Sequence, residues 1–310
     1  RTNFIIDSFY LSRAGLLSYE TPLALSEYLK REKHLTPWSV AISMFAPIRR
    51  YLSSTEHKLN LDKFLSGLAE PIYTELGWDE TTEETDVTKR LRSNVVDFYC
   101  SNNNDECIKG IQQKYYAWRA DPKGAKIRPN IMTTVLKYSI RLIGGTNDWN
   151  YLWDVYMAET STVLKLTYLN ALSFASDKDL INKLIELSLD ETKVRKQDFL
   201  SVFNNIIANP DGLQVMWDYY RDNYETLLNK HLSSGQMGTV VNNICNYFND
   251  ESRRKEVKDF FDKYPEVGVT QNERKRALET IDSNIIWINA NKKFIGDWLT
   301  AKTVGYYLLY

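Results

Sequence analysis

A chain of 310 residues exceeds the usual size of a single hydrophobic core, so it must divide into domains or extend as an array of packed elements. Apolar residues make up 43% of the sequence and charged residues 25%, as in ordinary globular proteins, and the formal net charge is −1. The balanced charge disfavours nucleic acid as a partner, and no apolar run is long enough to predict direct membrane insertion by this segment.

Apolar residues recur at helical spacing along the whole chain. In the first part they predict helices over residues 2–16, from Thr21 to before His34, from Thr36 through Leu52, and from about Leu61 to Gly77. Two more helices flank a polar turn between Cys100 and Cys107, and residues 121–129 form the longest clear loop. Later helices are predicted over residues 130–143, 147–158, 161–175, 178–188, 236–249 and 251–263, with a long final pair from about 271 to 308.

The stretch from 195 to 224 predicts a helix pair that sets the pattern for the rest of the chain. Its two halves each carry one apolar face at helical spacing. Asn209 is expected to end the first helix, because a following proline disfavours the α conformation. Pro210 is expected to begin the second helix, because its fixed φ suits a first turn. We therefore predict an αα-hairpin with a tight Asn-Pro-Asp-Gly corner.

No run alternates with period two for long enough to demand a sheet, and residues 239–241 lie in a helical context. The fold class is therefore all-α, and antiparallel helix pairs of this length are expected to stack as a solenoid. Because the sequence has no fixed period, an irregular HEAT-like array is favoured over tetratricopeptide or ankyrin repeats. We expect one helical domain over residues 1–310, and the start without methionine or signal-peptide layout indicates a piece of a longer protein.

Three cysteines are too few for a disulfide scaffold or a cysteine-rich zinc site. Cys100 and Cys107 flank a polar corner between two helices, where cysteines can approach to disulfide distance. Spacing alone favours two unpaired, partly buried thiols and leaves the bridge as the alternative.

The sequence offers no set of catalytic residues. His34, His57 and His231 form no His-Glu-x-x-His pattern, so no helical zinc site is predicted, and solvated side chains are expected at His34 and His57. No phosphate-binding glycine loop and no Gly-x-Ser-x-Gly motif occur. We expect no catalytic residue, no metal ligand and no cofactor in this chain.

One segment could bind a ligand. Arg49, Arg50 and Tyr51 place two guanidiniums beside an aromatic ring near a helix end, and arginine offers a bidentate fork to a carboxylate. An ordinary solvated helix end is the alternative. The many aromatic residues recur at helical spacing and are expected mostly in the core, with some on a concave surface.

Several segments, in order, resemble the C-terminal helical domain of the aminopeptidase N and endoplasmic-reticulum aminopeptidase family of gluzincin zinc aminopeptidases. They are Asn3–Asp7, the Gly-Gly…Trp segment from Gly144 to Trp153, the hairpin with Arg195-Lys-Gln-Asp and Asn209-Pro-Asp-Gly212, Phe260-Phe261, and Asn284 to Trp287 with Trp298 beyond. No single motif is decisive, but together they cover nearly the whole chain.

The resemblance implies a noncatalytic domain, a concave bowl of HEAT-like helices that docks on the catalytic domain of the same protein. In this family such a domain caps the active-site chamber, limits peptide access and contacts the distal part of peptide substrates. The zinc and the residues that bind it would lie in catalytic domains upstream of this chain. A closed chamber excludes water and large folded substrates.

The resemblance also implies a disulfide between Cys100 and Cys107, which secretory-pathway members carry at the same spacing. An extracellular or luminal location follows, as the ectodomain of a membrane-anchored protein, with the cytoplasm as the alternative. Two features depart from the pattern: Ser139 and Ser173 lie near the positions of a second cysteine pair, and the chain has no Asn-x-Ser/Thr glycosylation site.

In endoplasmic-reticulum members this domain holds the C-terminal end of the peptide. Arg49, Arg50 and Tyr51 lie near the corresponding position, so the resemblance implies a substrate-binding role for them. Phe174 and Ala208 stand where those relatives carry arginine, which puts anchoring of long peptides in doubt. The competing hypothesis is an α-solenoid scaffold that binds a protein partner, as in a catalytically dead aminopeptidase relative.

Overall fold

The computed structural model describes residues 1–265 and 268–304, and in this part of the chain it contains sixteen α-helices and no β-strand. The prediction of an all-α fold is confirmed. The helices form two compact units: the first comprises Arg1–Thr134 together with the stretch from Ile286 onward, and the second comprises Val135–Ile285. The single domain over 1–310 and the solenoid arrangement of helix pairs stay predictions.

The first unit is built on a chain of aromatic contacts. The rings of Phe9 and Phe45 lie 5.2 Å apart, those of Phe45 and Phe64 6.3 Å, and those of Phe64 and Trp298 5.1 Å. Through these ring contacts, the helix that contains Trp298 packs against helices near the start of the chain. The helices are α1 (Thr2–Arg13), α2 (Glu20–Ser26), α3 (Leu35–Leu52), α4 (Lys58–Leu76), α5 (Asp86–Cys100) and α6 (Asp105–Ala120), with a 3₁₀ segment over Glu27–Arg31.

The second unit packs around Trp217, which is fully buried and makes edge contacts with Phe248 at 5.8 Å and Phe260 at 5.5 Å. The αα-hairpin predicted from the sequence supplies this tryptophan. The remaining helices are α7 (Pro129–Tyr138), α8 (Thr146–Ala158), α9 (Thr162–Leu172), α10 (Lys178–Ser188), α11 (Phe199–Ala208), α12 (Leu213–Asp222), α13 (Tyr224–Thr226), α14 (Ser234–Cys245), α15 (Glu251–Lys263) and α16 (Gln271–Val304). Two π-helical segments lie over Ser139–Ile143 and Leu227–His231.

The prediction of a final helix pair is wrong over residues 271–304, where α16 is one continuous helix of 34 residues. The end of the predicted pair, residues 305–308, lies outside the described residues. Helix α16 contains no proline, and its single glycine costs only about 1 kcal/mol in a helix interior. Gly296 lies close to His57, since a Cβ atom there would lie 2.2 Å from Cε1 of the imidazole ring. The same contact leaves His57 partly buried, so its expected solvation is also wrong, whereas His34 is exposed.

Pro210 does not begin α12, which starts three residues later at Leu213. The reason is a competing local bond: the backbone N–H of Asp211 donates to Oδ1 of Asn209 at 3.1 Å, which holds residues 209–211 in a turn. Gly212 follows, where a Cβ atom would lie 2.4 Å from the carbonyl oxygen of Ile206. The corner is therefore tight, as predicted, but the proline belongs to the turn.

Candidate functional site

The corner between α5 and α6 begins and ends on residues suited to a tight turn. Asn104 caps α6 by accepting the backbone N–H of Glu106 at 3.0 Å, and Asn103 adopts a positive φ of 54°, which asparagine tolerates better than most residues. Cys100 and Cys107 are both buried and joined by a disulfide with their Cα atoms 5.3 Å apart. This is the pairing that the family resemblance implies.

Arg49 reaches into this corner from the last turn of α3. Its Nη1 donates to Oγ of Ser101 at 2.6 Å and its Nη2 to the backbone carbonyl of Ser101 at 2.8 Å, while the guanidinium lies 5.7 Å from the ring centre of Phe98. The structure thus brings together two features that the sequence presented separately, the arginine pair and the cysteine pair. Because 52 residues separate Arg49 from Ser101, no local signal could have predicted the contact.

The other two predicted ligand-binding residues differ in exposure. Tyr51 is 4% exposed and its ring lies 4.4 Å from that of Trp287, whose Nε1 donates to the hydroxyl of Tyr19 at 2.7 Å. Arg50 is half-buried in the last turn of α3, where a cation also complements the helix dipole. Tyr51 is therefore a core residue, and a carboxylate-binding role for Arg49, Arg50 and Tyr51 stays a prediction.

Burial suppresses proton transfer by the tyrosines beside the corner. Tyr73 and Tyr99 stack with ring centres 4.1 Å apart, and burial raises the pKa of each to about 12. Both phenols therefore stay protonated at neutral pH. Cys245, the one free cysteine among the described residues, is buried in the second unit, and burial raises its pKa to about 12. A thiol in this state is a poor nucleophile.

Buried hydrogen bonds connect the corner between α11 and α12 to the segment that follows α9. Asn209 is fully buried, and its Nδ2 donates to the carbonyls of Ser173 at 3.1 Å and Ala175 at 2.7 Å. These carbonyls follow the end of α9, where a helix leaves backbone acceptors without partners. The sequence analysis singled out this motif as a helix corner but missed the long-range role of Asn209.

The positions that depart from the family pattern have local roles. Ser139 and Ser173 are buried and donate to the carbonyls of Val135 and Leu169, four residues earlier, at 2.7 Å each. The ring of Phe174 lies 5.4 Å from Nζ of Lys137. Across residues 1–265 and 268–304, no group of three or more His, Cys, Asp or Glu could hold a metal ion, and no helix is long and apolar enough to cross a membrane.

Comparison with known proteins decides the family. The sequence profile described as "ERAP1-like C-terminal domain" matches residues 1–283. The chain belongs to this family. As an ERAP1-like C-terminal domain, it has the helical fold and the order of motifs that its sequence indicated.

The proteins to which the chain is similar include several that are named aminopeptidases. Glutamyl aminopeptidase of Rattus norvegicus is 31% identical over 304 residues, which is 97% of this chain and 32% of that protein. Aminopeptidase A of Gloydius brevicauda is 29% identical over 301 residues, 96% of this chain and 31% of that protein. Thyrotropin-releasing hormone-degrading ectoenzyme of Rattus norvegicus is 26% identical over 306 residues, 96% of this chain and 28% of that protein. The ERAP1-like C-terminal domain therefore spans about a third of the length of the relatives it matches.

Proposed function

We propose that this chain is the noncatalytic C-terminal domain of a zinc aminopeptidase, where it caps the active-site chamber and controls the access of peptides. The observation that carries the proposal is the family match over residues 1–283, combined with relatives that are aminopeptidases about three times as long. The described residues provide no ligand set that fits zinc. The metal and the cleavage chemistry are accordingly assigned to the remainder of the parent protein.

An exposed apolar face supports docking on that remainder. Phe4 and Leu11 of α1 are 71% and 44% exposed, and a spacing of seven residues places them on the same helix face. Leu16, just beyond the helix, is 75% exposed. Exposed apolar clusters of this kind mark interaction surfaces, and we assign this one to the catalytic part of the same protein.

The test is complementation between two separately made parts of the parent. The 310-residue chain alone should bind no zinc and release no amine from aminoacyl substrates, and adding it to the rest of the parent should raise peptide hydrolysis. Phe4→Asp with Leu11→Asp should weaken that effect at least tenfold. Val163→Asp is the control, because Val163 is 72% exposed but lies in the second unit. Tightly bound zinc in the isolated chain, or equal effects of both changes, would contradict the proposal.

The predicted contact with the distal end of a peptide is part of this proposal. Arg49 and Arg50 offer two guanidiniums at the end of α3, and the bonds of Arg49 to Ser101 hold the first of them in place. In the parent enzyme, Arg50→Gln should raise KM about threefold or more for peptides with a free C-terminal carboxylate and leave KM for their amides unchanged. Equal effects on both substrates would remove these residues from the peptide site.

The location proposed for the parent is the extracellular space or the lumen of the secretory pathway, as a membrane-anchored ectodomain. The disulfide between Cys100 and Cys107 supports it, since such bonds persist in oxidising compartments. One relative is named an ectoenzyme. Two free thiols in the protein isolated from its own cells would instead place the parent in the cytoplasm.

A further inference from the structure

A cavity of about 570 Å³ lies in the first unit, beside the turn that the disulfide closes. One wall is formed by α4, with Phe64 as an apolar surface and Gly67 as a position without a side chain. The polar turn over residues 102–105 also lines the cavity, as do Lys302 and Thr303 of α16. The cavity is large enough to hold an amino-acid residue with a long side chain.

Asn102 is the feature of this cavity that requires explanation. It is 6% exposed, it lines the cavity, and neither its Oδ1 nor its Nδ2 has a hydrogen-bond partner among the described protein atoms. Buried side-chain amides almost always have partners, because an unpaired one costs free energy. A primary amide offers both an acceptor and a donor, so its complement is a group that presents one of each. A peptide unit is such a group.

The charges around the cavity favour a cation. Glu70 and Asp105 line it, are exposed, and form no ion pair with any described residue. The positive groups are already engaged: Nζ of Lys302 lies 2.5 Å from Oε1 of Glu27, and Lys30 and Lys63 each make an interaction of their own. The carboxylate of Asp62 is likewise paired with Lys58. Glu70 and Asp105 are therefore the carboxylates of this cavity that are available to a cationic ligand.

We propose that this cavity binds an arginine or lysine residue of a peptide, with its main-chain amide on Asn102 and its cationic end near Glu70 and Asp105. The apolar surface of Phe64 suits the methylene stem of such a side chain. This site is separate from the arginines of α3. It does not depend on the capping role, since binding is a property of the 310-residue chain itself.

The first experiment is an NMR titration of the 310-residue chain with N-acetyl-arginine methylamide. We expect saturable shifts in the resonances of residues 102–105 and at least tenfold weaker binding of N-acetyl-norleucine methylamide, which has the amide but no charge. Methylguanidinium, which has the charge but no amide, should also bind at least tenfold more weakly. Tighter binding of N-acetyl-glutamate methylamide, or no shifts at millimolar concentration, would overturn the proposal and leave a cavity that holds only water.

Variants separate binding from folding. Asn102→Leu should abolish binding, yet raise the melting temperature of the free chain, because it removes an unpaired buried amide. A merely structural role for Asn102 predicts a lower melting temperature. Glu70→Gln and Asp105→Asn should each weaken binding about threefold to fivefold, which is the range of an exposed ion pair. Glu106→Gln is the matched control, since Glu106 follows Asp105 in the same helix turn but does not line the cavity.

A second blocking variant does not touch the polar turn. A Cβ atom at Gly67 would meet no atom within 4 Å, so Gly67→Phe should fill the cavity without a clash in the helix. Loss of arginine-amide binding in this variant, with unchanged helical circular dichroism, supports the site. Unchanged binding would show that the ligand lies elsewhere. Neither result bears on the complementation test of the capping role.

Discussion

A disulfide at a helix end distinguishes the first unit from the described part of the second, whose one cysteine is free. In the first unit, the turn between α5 and α6 is closed by a covalent bond between Cys100 and Cys107 and braced by Arg49. In the second unit, three buried polar side chains hold backbone carbonyls near helix ends. They are Asn209, Arg274 and Asn284, of which the last donates to the carbonyls of Cys245, Asn246 and Phe248.

The disulfide and the buried hydrogen bonds stabilise the protein through different states of the chain. A disulfide constrains the unfolded chain and so stabilises the fold mainly through the entropy that the unfolded state loses. A buried side-chain hydrogen bond acts only in the folded state, and its removal leaves carbonyls without partners. The stability of the first unit should therefore depend on the redox state of its surroundings, and that of the second on its buried side-chain hydrogen bonds.

The largest effect is expected from Arg274→Met. Arg274 is 7% exposed and donates to the carbonyls of Val269 and Phe261 at 2.8 Å each and of Tyr264 at 2.5 Å. Its loss leaves three acceptors buried, so the free energy of unfolding should fall by about 4 kcal/mol. Urea denaturation monitored by tryptophan fluorescence measures this change.

The control for Arg274 is Arg276→Met in the same helix, where the side chain is exposed. A change below about 0.5 kcal/mol is expected there. Equal losses of stability in the two variants would show that the buried hydrogen bonds of Arg274 do not stabilise the second unit.

Asn209→Ala should lower the free energy of unfolding by about 3 kcal/mol, because the carbonyls of Ser173 and Ala175 lose their donor. Hydrogen exchange with mass spectrometry should locate the loss in the second unit. Asn204→Ala removes an exposed amide that pairs with Asn243 and serves as the control. Faster exchange throughout the first unit instead would contradict the division into two units.

Cys100→Ser with Cys107→Ser should cost about 2.5 kcal/mol, the value expected for a closed loop of this length. Faster hydrogen exchange should appear in α5 and α6. Intact mass before and after reduction, with peptide mapping of both cysteines, should show the bridge in protein made under oxidising conditions. Two free thiols in that protein would contradict the disulfide between Cys100 and Cys107.

The smallest effect is a dependence on acid. The buried Arg92 guanidinium donates two hydrogen bonds to Glu84, and this contact holds the pKa of that carboxyl below its ordinary value of 4.5. The stability it contributes is fully present above pH 4.5 and is lost as the pH falls through the lower pKa of the folded state. Glu84→Gln should flatten the fall in melting temperature below pH 4.5, and an unchanged acid profile would assign that fall to other groups.

Periodicity alone predicted the all-α fold and most helices, since apolar spacing is a local property of the sequence. The contacts that tie the helices together were not predictable in this way. Asn209 bonds to carbonyls 36 and 34 residues earlier, and nothing near it in the sequence identifies those partners. The disulfide was inferred only from family resemblance, because the spacing of Cys100 and Cys107 also suited free thiols.

Local competition explains the error at Pro210. The proline could have begun a helix, but the side chain of Asn209 accepts the next free N–H and keeps the chain in a turn. At this corner a side chain decides between two backbone conformations that the sequence pattern alone permits. The single glycine of α16, Gly296, does not interrupt the helix, and a Cβ atom there would lie 2.2 Å from Cε1 of His57.

Because the chain is synthesised from its N-terminus, the late position of α16 in the sequence determines when the first unit can complete its contacts. The first unit needs Trp287 beside Tyr19, two residues 268 positions apart, and Trp298 against Phe64. These rings emerge only after the whole second unit has been made. The first unit therefore cannot complete these contacts until Trp287 and Trp298 have been translated, whereas the loop between Cys100 and Cys107 can close earlier.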